Sequence, residues 1–122
     1  IDYQGGRKGS YFYDIASLLF DGKADIPFKT REALLNFYLS ELQKHITVDT
    51  LRFRKYFYSF ALIRIMQAMG AYCFLSKVKG IQKFEQYIEP GKAQLRVLFG
   101  EFKKVAKATN KEVFEFMEKA LV

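Results

Sequence analysis

The strongest constraint on the fold is the segment 51–69, "LRFRKYFYSFALIRIMQAM", whose apolar side chains recur every three to four residues. This spacing is the period of an α-helix with one buried face. Toward its end the segment becomes apolar on most sides, which is typical of a helix at the centre of a core. We therefore predict a long central helix over 51–69, with Asp49 or Thr50 as its N-cap. We expect Gly70 to kink or close this helix, and residues 71–77 to add another turn or two.

Two further helices are predicted before this central one. Asp14 precedes a short, strongly apolar segment, and an aspartate in that position is a favourable N-cap because its carboxylate accepts free amide groups. A loop with Gly22 and Pro27 follows, and the next helix is predicted to begin at Thr30.

The C-terminal third of the chain also shows helical spacing. We predict a short helix over 81–88, a boundary at Pro90 and Gly91, and an apolar stripe over 95–107. Asn110 is the expected N-cap of a last helix. No alternating strand pattern occurs beyond the first two or three residues. The sequence thus predicts an all-α fold, a compact bundle of six to seven helices.

Length and composition indicate one folded domain. The chain has 122 residues, of which half are apolar and 17% aromatic, and this content argues against disorder. The longest apolar stretch is interrupted by Arg64, Gln67 and Gly70, short of the roughly 18–20 residues that span a bilayer. We expect no membrane span and no signal peptide. The lone Cys73 is expected to be a buried small hydrophobe, and a reducing, cytoplasmic location fits it.

The net charge of +7 comes from 20 cationic and 13 acidic side chains. Such a balance is compatible with nucleic acid, anionic lipid or phosphorylated small molecules as partners. The cations are scattered as singles and pairs rather than collected into a block. Their distribution disfavours nucleic acid and membrane, and most of them are expected to lie on solvated helix faces.

The opening segment "IDYQGGRKGSYFYDIASLL" resembles the region after the catalytic loop in kinase-like phosphotransferases of the aminoglycoside phosphotransferase and choline kinase group. The similarity is greatest to the bacterial sugar kinase-like branch. Three parts match: Ile1-Asp2-Tyr3, Gly9 and Asp14-Ile15-Ala16. The later "MQAMGAY", residues 66–72, is similar to a second segment of that branch. Tyr11 stands where the family often has proline, which leaves the local turn geometry open.

The resemblance implies roles for three residues. Asp2 would be the metal ligand, and a carboxylate suits the Mg²⁺ that bridges the phosphates of ATP. Gly9 would allow the turn after the metal-binding strand, and Asp14 would cap its helix and bond to the catalytic loop. Residues 1–13 would then be the remnant of the metal strand with its glycine-rich turn. Residues 14–122 would form the helical C-terminal subdomain of a protein-kinase-like fold.

The same resemblance implies that essential parts lie upstream. The nucleotide-binding lobe and the His-x-Asp-x-x-x-x-Asn catalytic loop of the family are absent, and "GGRKGS" lacks the spacing of a phosphate-binding P-loop. We expect the parent protein to transfer the γ-phosphate of ATP to a small-molecule hydroxyl, with a sugar or amino sugar as acceptor. Arg64, Gln67 and Tyr72 are candidates to line the acceptor pocket. The isolated chain is expected to be inactive and to bind neither ATP nor Mg²⁺.

The residues themselves allow two other interpretations. The basic, aromatic-rich segment 51–60 could serve a standalone helical interaction module or a nucleic-acid-binding module. Helical spacing, however, places Phe53 and Phe57 on one face and Arg52 and Lys55 on another, as in a core helix with a basic outer face. His45 is expected in an exposed loop with no neighbouring metal ligands.

Overall fold

The computed structural model describes residues 10–21, 23–105, 115, 118 and 119. Within these residues there are four α-helices and no strand, which confirms the all-α class. The helices are α1 (Tyr11–Leu19), α2 (Phe28–Gln43), α3 (Thr50–Cys73) and α4 (Ile88–Val105).

The predicted count of six to seven helices is not reached within the described ranges. The segment 71–77 forms no separate helix, because α3 continues directly into a π-helical turn at Phe74–Val78. The segment 81–88 forms a 3₁₀ helix, Gln82–Tyr87, that runs straight into α4. The last predicted helix, opened by Asn110, lies largely outside the described residues.

The core is built around α3, as its length predicted. Helix α3 packs closely against α1 on one side and α4 on the other. Its buried positions follow the three-to-four residue spacing from Phe53 to Ile65, and α4 contributes Leu95, Leu98 and Phe99. Burying side chains of this size provides most of the stability of a small domain. The core comprises Ile15, Ala16, Leu19, Phe20, Leu35, Leu39, Phe53, Phe57, Tyr58, Ala61, Leu62, Ile65, Leu95, Leu98 and Phe99.

Helix starts agree with the sequence in one case and differ in two. Asp49 caps α3, because its Oδ1 accepts the Arg52 amide at 3.1 Å. Helix α1 begins at Tyr11, where Ser10 accepts the Phe12 amide, so Asp14 lies in the first turn and is not the cap. Helix α2 begins at Phe28, two residues before the predicted Thr30. There Pro27 occupies the N-cap position without a side-chain cap.

The helix boundaries predicted at Gly70 and at Pro90–Gly91 do not occur. Gly70 does not end α3, since the helix continues to Cys73. Gly80 does end the helical run, with a positive φ of 69°. Pro90 and Gly91 do not form a boundary, because α4 already starts at Ile88. A proline is tolerated in a first helical turn, where its missing N–H has no intrahelical acceptor.

The outer face of α3 is apolar in its C-terminal half. Ile63 and Met66 are nearly half exposed there, as is Phe74 in the following turn. By length and composition alone, the continuous stretch Thr50–Val78 could cross a membrane, although core helices of soluble proteins satisfy the same criterion. One such stretch in the described chain does not establish a membrane protein. Cys73 lies on this exposed side, so the expected burial of its thiol is wrong.

Candidate functional site

Most residues assigned to the metal strand and its turn lie outside the described residues. Asp2 and Gly9 fall outside the described residues, and their roles stay predictions. Asp14 is exposed in the first turn of α1, where an acidic side chain interacts favourably with the positive end of the helix dipole. In the part of the chain that the structure describes, no three His, Cys, Asp or Glu side chains form a group able to hold a metal ion. His45 is exposed, as predicted.

The three candidate acceptor-binding residues lie on the C-terminal half of α3. Tyr72 is partly buried and packs against an aromatic pair, with ring centroids 6.1 Å from Phe84 and 5.3 Å from Tyr87. Arg64 is partly buried two turns earlier, and Gln67 is exposed beside it. Arg64 and Gln67 are three residues apart and lie on one side of α3, whereas Tyr72 lies about 80° around the helix from Arg64 and about 140° from Gln67.

Charged groups affect the Tyr72 hydroxyl, including Asp21, which follows α1. Burial raises the pKa of the Tyr72 hydroxyl, the carboxylate of Asp21 raises it further, and the Arg64 guanidinium opposes both. The hydroxyl therefore stays protonated at neutral pH and can donate a hydrogen bond, but it is not a base. A cation, an anion and a neutral donor thus lie near one another. Such a group can hold a polyhydroxyl compound or a phosphate, and it lacks a nucleophile.

A partly buried polar cluster joins α2 to α3 and was not anticipated from the sequence. The Tyr58 hydroxyl donates to Glu32 Oε1 at 2.6 Å, and Arg54 Nη1 donates to Glu32 Oε2 at 3.2 Å. Arg54 also donates to Asn36 Oδ1. These partners are 18 to 26 residues apart along the chain, so no local pattern indicates them. Tyr58 is 1% exposed, and we interpret the cluster as a structural connection.

A cavity of about 420 Å³ lies between the start of α1 and the start of α3. Its walls include Tyr11, Phe12, Arg52 and Tyr56. The Arg52 guanidinium lies 5.5 Å from the centre of the Tyr56 ring, a cation–π distance. Arg52, Lys55 and Tyr56 are all exposed, so the basic outer face predicted for this helix is confirmed.

A smaller cavity of about 250 Å³ lies between the α1–α2 loop and α4. Arg31 and Gln94 line it, and both are more than nine-tenths buried. No sequence motif marked either residue. The one available signal was the position of Arg31, which shares a helix face with Leu35 and Leu39 at a spacing of four residues.

Comparison with protein-family models, curated proteins and solved structures finds no match to this chain.

Proposed function

We propose that this chain is the helical C-terminal part of an ATP-dependent phosphotransferase of the aminoglycoside phosphotransferase and choline kinase group. In this proposal Asp2 is the ligand of a catalytic Mg²⁺, with Gly9 and Asp14 shaping the turn behind it. The parent protein supplies the nucleotide-binding lobe and the catalytic loop and phosphorylates the hydroxyl of a small molecule, a sugar or amino sugar being favoured. ATP and Mg²⁺ belong to the parent, and the chain alone is inactive.

One observation supports the proposal beyond the sequence motifs. The two segments that carry the resemblance are about fifty residues apart, yet the fold packs the helix of the first, α1, against the helix of the second, α3. The carboxylate of Asp21, just after α1, acts on the Tyr72 hydroxyl at the end of "MQAMGAY". The two segments can form one pocket wall only if their helices lie side by side in this way.

The chemistry expected of the described residues is binding rather than catalysis. Arg64 and Gln67 offer donors, and Gln67 also offers an acceptor, for the hydroxyl groups of an acceptor molecule. Tyr72 adds a neutral hydroxyl and an aromatic face, which suits the apolar side of a sugar ring. When bound, Mg²⁺ would offset the charge on the transferred phosphate.

The test is phosphoryl transfer by the parent protein. Asp2→Asn is expected to lower kcat by more than about 100-fold while leaving the fold intact, because an amide is a weaker ligand for Mg²⁺ than a carboxylate. Asp49→Asn is the matched control, since asparagine caps a helix as well as aspartate. Wild-type turnover in Asp2→Asn, or an upstream reading frame without His-x-Asp-x-x-x-x-Asn, would contradict the proposal.

A second candidate function is nucleic-acid binding, and the cavity beside Arg52 favours it. An exposed arginine beside exposed tyrosines can hold phosphates and stack bases. A gel-shift assay with single-stranded RNA at two salt concentrations tests this function, with Arg52→Ala as the variant and Lys44→Ala as the control. Binding that weakens with salt and with Arg52→Ala alone supports the candidate, and no shift at low salt removes it.

A further inference from the structure

The cavity between the α1–α2 loop and α4 contains polar groups that the protein itself leaves unsatisfied. Arg31 is 5% exposed and Gln94 is 8% exposed. The Nε of Arg31 and both amide atoms of Gln94 are buried without a hydrogen-bond partner in the described protein. An unpaired buried donor or acceptor costs about 1–3 kcal/mol, and a buried charge costs more. Both residues line one cavity, and an occupant that draws these groups into it would satisfy them.

The positive charge of Arg31 is only partly compensated. Its guanidinium lies 4.7 Å from the centre of the Phe20 ring, which covers one face. No ion pair between described residues includes Arg31. Burial lowers the pKa of Arg31, and the nearby charge of Asp25 opposes that effect. The Arg31 guanidinium is therefore poorly solvated, and none of the described residues forms an ion pair with it.

The backbone adds further positive potential at the same place. Helix α2 begins at the cavity wall with Phe28, and Pro27 in front of it provides no side-chain cap. The free amides and the dipole of a helix N-terminus favour an anion. Asp25, at the rim, has a φ of 44°, a left-handed conformation that aspartate tolerates better than most residues.

The remaining walls are apolar and restrict the kind of anion. A phosphate would bring two charges and many acceptors to a site that offers one guanidinium and one amide. A carboxylate matches these two donors, because arginine binds it through parallel N–H groups. A small pocket with apolar walls and a few convergent polar groups is the usual form of a small-molecule site. The apolar walls are Ile26, Pro27, Phe28, Pro90, Ala93 and Val97.

We propose that this cavity binds a small carboxylate with an apolar body, its carboxyl group held by Arg31 and Gln94 and its body against Ile26, Phe28 and Val97. The rim carboxylate of Asp25 can additionally receive an amino group, so both simple carboxylic acids and apolar amino acids fit the chemistry. The proposal is independent of the phosphotransferase function, because it uses none of the residues assigned to phosphoryl transfer.

The experiment is an NMR titration of the ¹⁵N-labelled 122-residue chain with sodium isovalerate. The Arg31 Nε–H and Gln94 side-chain amide signals are expected to shift and saturate at millimolar ligand. Isoamyl alcohol, which keeps the body and lacks the charge, should bind at least about tenfold more weakly, a difference of about 1.4 kcal/mol. Leucine forms a second arm, and binding tighter than that of isovalerate assigns the amino group to Asp25.

Variants separate this site from nonspecific binding. Arg31→Met should weaken isovalerate at least about tenfold, and Arg52→Met, the same change at the other cavity, should leave it unchanged. The proposal is overturned if neither isovalerate nor leucine saturates these signals in the wild-type chain. It is equally overturned if the alcohol binds as tightly, or if Arg52→Met weakens binding as much as Arg31→Met. The wild-type titration decides the matter even if Arg31→Met fails to fold.

Discussion

At the scale of single residues, Tyr58 makes a short hydrogen bond that joins α3 to α2. Its hydroxyl donates to the half-buried carboxylate of Glu32 at 2.6 Å, and the residue is almost fully buried. Hydrogen bonds to charged groups contribute about 1.5–3 kcal/mol. Tyr58→Phe keeps the ring and removes this bond, so we expect a loss of that size in urea unfolding. The exposed Tyr56→Phe is the control and should change stability by less than about 0.5 kcal/mol.

The same residue makes stability depend on alkaline pH. Burial raises the pKa of Tyr58, and the hydrogen bond to Glu32 and its negative charge raise it further. The folded chain then keeps a proton that the unfolded chain releases, so stability falls as pH rises. The contribution is complete below the unfolded-state pKa of about 10 and is lost above it. The free energy of unfolding should therefore decline less steeply above that pH in Tyr58→Phe, and parallel declines would contradict this assignment.

Arg31 shows what a sequence conceals at this scale. An arginine in the sequence "KTREALL" indicates a solvated helix face, since arginine is almost never fully buried without a partner. Arg31 is covered by the Phe20 ring, which follows α1, and it lies beside residues of α4. Neither neighbour is close to Arg31 in the sequence. The opposite happened with Cys73. Its apolar neighbours predicted burial, but the position of Cys73 around the axis of α3 leaves the residue exposed.

At the scale of elements, Gly91 of α4 lies against the Met69 side chain of α3 with no room for a side chain of its own. A Cβ added there would overlap the Met69 side chain at its sulfur, whereas one added at Gly100 of the same helix would meet nothing. We expect Gly91→Ala to lower stability by about 1–3 kcal/mol through overpacking. Gly100→Ala should raise stability by about 0.5–1 kcal/mol, because alanine is the better helix former. Thermal or urea unfolding of both variants measures the contrast.

A double mutant tests the cause. Met69→Ala removes the side chain that the new methyl group meets, so Gly91→Ala should be tolerated in that background. The two changes are then non-additive, as expected of residues in contact. If Gly91→Ala stabilises the chain as much as Gly100→Ala does, the close contact does not limit the packing of the two helices.

The elements themselves were largely readable from the sequence, and their ends were not. The periodicity of 51–69 predicted the central helix, and its cap is Asp49, one of the two predicted candidates, because capping is a local interaction. Gly70 was misinterpreted because the helical hydrogen bonds continue past it, and local propensity is a weak guide where packing holds a helix. Pro90 was misinterpreted because the 3₁₀ segment before it leads directly into α4.

The candidate sites were less predictable than the helices. Arg64, Gln67 and Tyr72 lie on a single helix, and their role in acceptor binding stays a prediction. The cavity with Arg31 and Gln94 combines side chains from α2 and α4 with a loop, and nothing in the sequence shows that these elements meet. The same holds for Glu32 and Tyr58. Tertiary juxtaposition of distant polar residues leaves no local pattern.

At the scale of the whole molecule, the four helices are unequally attached. The backbone of α3 approaches α1 and α4 closely, whereas α2 reaches α3 through side chains. These contacts are the polar ones of Glu32 with Arg54 and Tyr58 and the ring contact of Tyr38 with Phe53. Only Arg31, Leu35 and Leu39 of its 16 residues are buried. An element held by few buried contacts opens at a lower free energy than the global unfolding. Helix α2 is therefore the expected first unit to open.

Native-state hydrogen exchange tests this order. Amides in the second half of α2 should exchange through an opening of lower free energy than those of α3 between Phe53 and Ile65, and Tyr58→Phe should lower the α2 value by about 1.5–3 kcal/mol. Global unfolding breaks the same bond, so the α3 amides that open only globally lose the same amount and the gap between the two helices stays constant. The control Glu41→Gln breaks only the exposed pair with Lys44 and should change neither value by more than about 0.5 kcal/mol. A lower α3 value with an unchanged α2 value would show that opening of α2 leaves the bond between Tyr58 and Glu32 intact. Equal protection of α2 and α3 in the wild-type chain would show that the four helices unfold as one unit.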